Sequence, residues 1–299
     1  MTAVSLDTVD VPNGETVGYR RRPGGEIPVV LLHSNVTSSA HWDVLFDRID
    51  GRFALYAVDM RGFGGSSYRA PIDSLADLAV DVVQFADALG LETFDLLGWS
   101  TGGAVAMVVA ADHPDRVERL ALVAPVPTRD YYPAYERDDD GNPTDAPVLS
   151  YEEMARHPEV RAVADAQERG DTAFMKEMWL DIAYTENRPD PERFERYAAD
   201  MCTQRNYVDV EYAIAHFDVS DGRSEITGGN GKAAHIEAPT LVLRGDRDLV
   251  ITEEMCRDTV ADVGENAVFH ALPDCGHNPM VDDPSLLVAE LEGFLGGGR

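Results

Sequence analysis

The chain has 299 residues, of which 44% are hydrophobic, enough to bury one large α/β core with an insertion or two smaller domains. Its 54 acidic residues against 25 basic ones give a formal net charge of -29, which disfavours binding to nucleic acid or to anionic membranes. No apolar stretch approaches the ~18 residues that a membrane span needs, and the first ten residues lack the basic and apolar regions of a secretion signal. We therefore expect a cytoplasmic protein without a membrane span.

The acidic residues are spread along the whole chain, and only two lysines, Lys176 and Lys232, accompany them. Concentrated salt screens such self-repulsion, so this pattern favours a protein from a high-salt cell over an acidic protein from ordinary salt. Cys202, Cys256 and Cys275 lie far apart without a CxxC spacing, which is typical of reduced cysteines rather than of a zinc site or a disulfide framework. The charge bears on solubility rather than on chemistry.

Short apolar runs alternate with helical patterns along most of the chain. Their order predicts a mostly parallel sheet that is covered by helices on both faces, the α/β class. The predicted strands are Val29–His33, Phe53–Asp59, Thr93–Leu97, Arg119–Ala124, Pro239–Leu243 and Ala267–Leu272. The predicted helices between them are Ser39–Ile49, Ser74–Leu89, the segment after Ser100 and Pro284–Leu295.

Residues 126–235 break this alternation, because helical patterns there follow one another without a comparable apolar strand. We interpret the segment as a helical lid inserted into a core formed by residues 1–125 and 236–299. The predicted lid helices are Tyr151–His157, Glu159–Glu168, Thr172–Tyr184, Pro191–Cys202 and Val208–Phe217.

The motif G-x-S-x-G at Gly98–Gly102 lies where a predicted strand turns sharply into a predicted helix. Such a turn holds a serine in a strained, exposed conformation, and the small residues on either side let the backbone pass without clashes. The motif alone is common, but the strand before it and the helix after it make Ser100 a candidate nucleophile.

A nucleophilic serine needs a base to take its proton and an acid to hold that base. His277 follows the strand Ala267–Leu272, at the sheet edge where α/β proteins gather their sites, and is the candidate base. Asp246 and Asp248 follow the strand Pro239–Leu243, and we favour Asp248 as the acid. Asp130 is a remote third candidate.

The reaction also needs N–H donors for a developing oxyanion. We expect one from Thr101, at the start of the helix after the nucleophile, and a second from the loop Ser34–Val36. Trp99 either lines an acyl pocket or packs under the lid. We expect neither a metal nor a cofactor.

These motifs, in this order, resemble those of the α/β-hydrolase superfamily. The similarity covers about residues 29–126 and 238–294 and includes the run Asp59–Ser66. The resemblance implies that Ser100 is the nucleophile, Asp248 the acid and His277 the base. It also implies that the N–H groups of Asn35 and Thr101 form the oxyanion hole. One departure is Ser34, which stands where the family usually has glycine, so its side chain lies at the predicted pocket.

Within the superfamily, the sequence is similar to some intracellular esterases. The runs Thr203–Val210 and Gly229–Lys232 are similar to intracellular polyhydroxybutyrate depolymerases. We therefore predict a hydrolase of a small-molecule carboxylic ester, lactone or hydroxyalkanoate oligomer. C–C bond hydrolysis, cofactor-free perhydrolysis of the haloperoxidase kind and a non-catalytic ligand-binding role remain alternatives. Haloalkane dehalogenation needs an aspartate where Ser100 stands and is excluded. The sequence sets no oligomeric state.

Dialysis from molar salt to low ionic strength should unfold the protein, because the net charge of -29 is then no longer screened. Far-UV circular dichroism against salt concentration measures the loss of folded signal. A flat response would show that the acidity does not reflect adaptation to salt.

Overall fold

The computed structural model describes residues 4–138, 140–184, 187–222, 224 and 226–296. Its centre is an eight-stranded sheet with the order β1-β2-β4-β3-β5-β6-β9-β10. Strands β1 and β2 are antiparallel to their neighbours, and every later pair, from β4 to β10, is parallel. The strands of this sheet are Ser5–Asp10 (β1), Thr16–Arg22 (β2), Ile27–Leu32 (β3), Phe53–Val58 (β4), Phe94–Trp99 (β5), Val117–Val123 (β6), Thr240–Gly245 (β9) and Ala267–Leu272 (β10).

The central strands are buried on both faces, as the sequence predicts. All six residues of β5 and all six of β9 are buried, and such continuous burial is expected where helices cover both sides of a parallel sheet. Strand β1 instead alternates between half-buried and exposed residues, as an edge strand does. Strands β1 and β2 are additions to the predicted set, since their polar sequences carry no apolar run.

Helices flank the sheet, with α2 packed against α3 and α1 packed against α11. None of the helices in the described ranges is both long enough and apolar enough to cross a membrane. The flanking helices are Asp43–Arg48 (α1), Leu75–Ala88 (α2), Thr101–Asp112 (α3), Glu253–Val263 (α9), Pro279–Asp282 (α10) and Pro284–Phe294 (α11).

Helix α2 shows how local sequence sets these elements. Asp77 accepts hydrogen bonds from the backbone N–H groups of Asp73 and Ser74 at 2.9 and 3.0 Å, so the helix begins with a capping box. Leu78, Val82 and further residues at helical spacing are buried in the core. Gly90, which adopts a φ of 68°, follows the end of the helix.

Between β6 and β9 lies a segment rich in helices, which we call the insertion (residues 126–235). It also contains a short hairpin, which the sequence analysis did not predict because its strands are exposed and polar. Ser150, Asp171 and Asp190 cap α4, α6 and α7 with their side chains. The elements of the insertion are Tyr135–Arg137 (β7), Pro143–Pro147 (β8), Tyr151–Arg156 (α4), Pro158–Arg169 (α5), Thr172–Ile182 (α6), Pro191–Met201 (α7) and Tyr207–Ala215 (α8).

Candidate active site

Ser100 forms the sharp turn between β5 and α3. Its φ of 53° and ψ of -116° lie in a region that residues with a side chain rarely adopt. Backbone hydrogen bonds to the neighbouring segments hold this conformation. The N–H of Ser100 donates to the carbonyl of Val123 at 3.0 Å, and its carbonyl accepts from the N–H groups of Gly103 at 2.8 Å and Val126 at 3.0 Å. The strained serine is thereby tied to the neighbouring strand β6.

Glycines around Ser100 allow the backbones to approach closely. A Cβ atom on Gly98 would lie 2.3 Å from the carbonyl oxygen of Gly102. A Cβ atom on Gly102 would lie 2.3 Å from the carbonyl oxygen of Leu32 and 2.5 Å from that of His33. Any side chain at these two positions would therefore push α3 away from the ends of β3 and β5.

His277 and Asp248 are hydrogen-bonded in the buried loops that follow β10 and β9. The Nδ1 atom of His277 lies 3.0 Å from Oδ2 of Asp248. A carboxylate only accepts, so Nδ1 carries the proton and Nε2 is left as the basic nitrogen. The other oxygen of Asp248 accepts from the N–H groups of Val250 at 2.7 Å and Ile251 at 3.0 Å, which fixes its orientation.

These contacts also keep Asp248 ionised. Burial alone raises the pKa of its carboxyl group, but the charge and hydrogen bond of His277 and the two backbone N–H groups outweigh it. The net effect is a pKa below the usual range of an aspartate. Asp248 is therefore suited to orient His277 and to stabilise its charged form.

The two other candidate acids do not contact His277. Asp246 is exposed, and its backbone N–H donates to the carbonyl of Leu272 at 3.0 Å. Asp130 is exposed and lies 3.9 Å from the guanidinium of Arg129. Of the three aspartates that the sequence singles out, Asp248 is the one placed beside the histidine.

Trp99 supports His277 from within the core. Its indole N–H donates to the backbone carbonyl of His277 at 3.0 Å, and its ring is fully buried. The ring packs edge-on against Trp179 of α6 and against Trp42, with centroids 5.8 and 6.2 Å apart. Trp99 is not among the described residues that line the adjacent cavity. Its position corresponds to packing under the insertion and not to an acyl pocket.

The loop that follows β3 comprises residues 33–37, and we call it the β3 loop. It is anchored by a neutral histidine, His33. The N–H of Met60 donates to Nε2 of His33 at 3.0 Å, so Nδ1 carries the proton and donates to the carbonyl of Ser34 at 2.8 Å. Burial lowers the pKa of His33 to about 4, which keeps the ring uncharged. Its role is structural.

A cavity of about 860 Å³ lies above Ser100 and His277, and both residues line it. Ser34, Asn35 and Thr101 line it as well, with the N–H of Thr101 in the first turn of α3, where backbone donors have no partner within the helix. Most of the wall is apolar and comes from the insertion. It includes Val160, Val163, Phe174, Met178, Trp179, Ile182 and Ile214.

Glu211 is a buried acid on this wall that the sequence analysis missed. It accepts a hydrogen bond from the side chain of Asn35 at 2.8 Å and is also hydrogen-bonded to Tyr207. Burial raises the pKa of Glu211 to about 7, although both hydrogen bonds act in the opposite direction. A lone acid within the apolar stretch Val210–Ala215 was the available signal. Among the described residues, no group of three histidines, cysteines or acids is arranged to hold a metal ion.

Comparison with known proteins agrees with this architecture. Residues 27–284 match the family described as alpha/beta hydrolase fold. A stretch of 124 residues is 36% identical to the dihydrolipoyllysine-residue acetyltransferase component of the acetoin cleaving system of Cupriavidus necator. That stretch is 42% of this chain and 33% of the relative, so the chain spans about a third of the length of the curated relative that it matches.

Solved structures resemble nearly the whole chain. A hydrolase from Pseudomonas aeruginosa is 24% identical with a TM-score of 0.71, covering 98% of this chain and 99% of that one. Thermophilic esterase from Thermogutta terrifontis is 21% identical with a TM-score of 0.73, covering 97% and 98%. An esterase from Exiguobacterium antarcticum is 19% identical with a TM-score of 0.72, covering 97% and 99%. At these identities the likeness is one of fold.

Replacing Gly102 by alanine should lower the free energy of unfolding by about 2 kcal/mol, because its Cβ would overlap the Leu32 carbonyl. Gly293→Ala is the matched control. Its Cβ meets nothing within 4 Å in α11, so the change should be neutral or slightly stabilising. Urea unfolding at constant salt measures both. Equal stability of the two variants would contradict the close packing at the turn.

Asp248→Asn should lower kcat for an ester by a factor on the order of 10³, because the amide cannot hold the Nδ1 proton of His277 as the carboxylate does. Asp246→Asn, two residues away and exposed, should change kcat less than about twofold. Steady-state kinetics of both variants decides between the two aspartates, and the reverse order of effects would exchange their roles.

Proposed function

This chain belongs to the α/β-hydrolase family, and on that premise we propose that it hydrolyses carboxylic esters through the triad Ser100, His277 and Asp248. The observation that carries the proposal is that Ser100 and His277 line one largely apolar cavity, with His277 oriented by its 3.0 Å hydrogen bond to Asp248. A serine is activated only by a base that is itself oriented. Here His277 is the base, and Asp248 is the acid that orients it.

In the proposed mechanism, Nε2 of His277 takes the hydroxyl proton of Ser100 as its Oγ attacks the ester carbonyl carbon. The negative charge on the carbonyl oxygen is stabilised by the N–H groups of Thr101 and Asn35. His277 then gives its proton to the departing alcohol, leaving an acyl group on Ser100. A water molecule, deprotonated by His277, then attacks that acyl group. The bond from the acyl carbon to Oγ of Ser100 breaks, His277 returns the proton to Oγ, and the free acid is released.

We propose that the insertion is a lid that selects the substrate. Its apolar side chains, among them Phe174, Met178 and Ile182, form most of the wall above Ser100 and suit a small to medium acyl chain. The charged residues on the wall are acids, namely Glu159, Asp181 and Glu211, and none of the described lining residues is a lysine or arginine. Neutral esters and lactones therefore fit this wall better than hydroxyalkanoate oligomers that end in a carboxylate.

We also propose that the enzyme works in the cytoplasm of a high-salt cell. The side chains of Cys202, Cys256 and Cys275 are free thiols, and Cys256 and Cys275 are buried. Free thiols are compatible with a reducing compartment, and the acidic composition with concentrated salt.

Ser100→Ala should abolish ester turnover, lowering kcat by a factor on the order of 10⁵, and should prevent labelling by a fluorophosphonate. Ser285→Ala, at an exposed serine on α11, should retain both ester turnover and fluorophosphonate labelling.

The substrates to be assayed form a panel of p-nitrophenyl esters of increasing chain length, neutral lactones and hydroxybutyrate oligomers. The apolar wall predicts that turnover of the p-nitrophenyl esters is highest at a small to medium acyl chain.

Unchanged ester turnover by Ser100→Ala would overturn the mechanism. If the wild type cleaves a ring-cleavage diketone and no ester, the triad serves C–C bond hydrolysis instead. If the wild type neither turns over the panel nor takes the fluorophosphonate label, the fold serves ligand binding.

A further inference from the structure

Like Ser100, one residue of the β3 loop has a strained backbone, and it directly follows the proposed oxyanion donor Asn35. Val36 has a φ of 67°, in the left-handed region that is especially unfavourable for a β-branched side chain. Such a conformation persists only when neighbouring contacts hold it. The N–H of Val36 donates to Oδ1 of Asn35 at 3.0 Å and to Oε1 of Gln204 at 3.1 Å. One of the two contacts that hold it thus comes from the insertion.

The side chain of Asn35 is held from both sides by the insertion. Its Oδ1 accepts from Nε2 of Gln204 at 2.8 Å, and its Nδ2 donates to Oε1 of Glu211 at 2.8 Å. Gln204 is 4% exposed and Glu211 is 6% exposed, so water does not substitute for these partners. We call Gln204 and Glu211 the clamp.

Gln204 is itself rigidly placed, because its neighbours are bound to the loop that follows β4. The N–H of Arg205 donates to the carbonyl of Gly62 at 2.9 Å, and the side chain of Asn206 donates to the carbonyl of Arg61 at 2.8 Å. On its other side, Gln204 accepts from Nε2 of Gln167 in α5 at 3.0 Å. The run Thr203–Asn206 therefore joins the insertion to two loops of the core.

We propose that Gln204 and Glu211 are positioning residues, which hold the β3 loop so that the N–H of Asn35 meets the oxyanion. The inference rests on the proposed function, because it requires that Asn35 be an oxyanion donor. The clamp acts through Asn35 and Val36 and does not itself touch the reacting atoms. The oxyanion hole is then complete only when the insertion is packed against the core, because the clamp residues belong to the insertion.

The clamp should affect kcat far more than KM. A lost oxyanion donor lowers kcat by about 10²- to 10³-fold, and a displacement of about 1 Å by about 10²-fold. Most of the apolar wall that binds the acyl chain is formed by other residues, and of the two clamp residues Glu211 alone is among the described residues that line the cavity. A defect in the clamp therefore leaves ground-state binding nearly intact.

The test uses the full chain and the best p-nitrophenyl ester of the panel. Gln204→Met and Glu211→Leu keep the side-chain volume but lose the hydrogen bonds, and each should lower kcat on the order of 10²-fold with KM within about threefold. Glu211→Gln keeps an oxygen that accepts from Asn35, so its kcat should stay within about threefold of wild type. Tyr197→Phe is the control, since it removes a 2.5 Å hydrogen bond from the insertion to Asp43 in α1, which is not part of the β3 loop. It should leave kcat unchanged.

Concentrations of active protein come from the end point of fluorophosphonate labelling, so that kcat refers to folded molecules only. The proposal is overturned if Gln204→Met retains wild-type kcat, or if Glu211→Gln falls as far as Glu211→Leu. If Gln204→Met does not fold, the contrast between the two Glu211 variants decides. A wild-type enzyme that hydrolyses no ester would instead overturn the proposed function, which the same assay shows separately.

Discussion

The constraint on which this site depends is the backbone of Ser100, held with a positive φ at the end of a central strand. Such a conformation costs on the order of 1–3 kcal/mol, and the surroundings must offset that cost. A hydrogen bond to the end of β6, another from the segment after β6, and the close glycine contacts with the end of β3 do so. The nucleophile is consequently positioned by the sheet itself, whose central strands β5 and β9 are buried along their whole length. The loops that carry His277 and Asp248 then need only lie close to Ser100, whose position the sheet already fixes.

The features that could be predicted from the sequence are those encoded by residues close together along the chain. The buried strands of the parallel sheet and the turn at Ser100 are written in short apolar runs and in one glycine motif, and both were predicted. The loops with Asp248 and His277 were found because each directly follows a strand. Asp248 was favoured over Asp246 from the sequence, and the structure adds the contact itself, the hydrogen bond between Asp248 and His277.

The contacts that escaped prediction join distant parts of the chain. Asn35 and Glu211 are 176 positions apart, and Asn35 and Gln204 are 169 apart. No local pattern encodes such pairs, because each residue is an ordinary polar side chain in its own segment. The same holds for Trp99, whose indole contacts a carbonyl 178 positions away. The polar strand β1 and the exposed hairpin of the insertion were missed for another reason, which is that they bury little apolar surface.

The aromatic packing behind the histidine has a consequence for how this protein can be observed. Trp42, Trp99 and Trp179 are the three tryptophans of the chain, and they form one continuous edge-to-face cluster. Two belong to the core and one to the insertion, and all are nearly inaccessible to water. Intrinsic fluorescence therefore reports on a single place, the seam between core and insertion beside His277. Emission recorded during catalysis or denaturation will register the opening of that seam, whereas the outer strands of the sheet contribute no tryptophan signal.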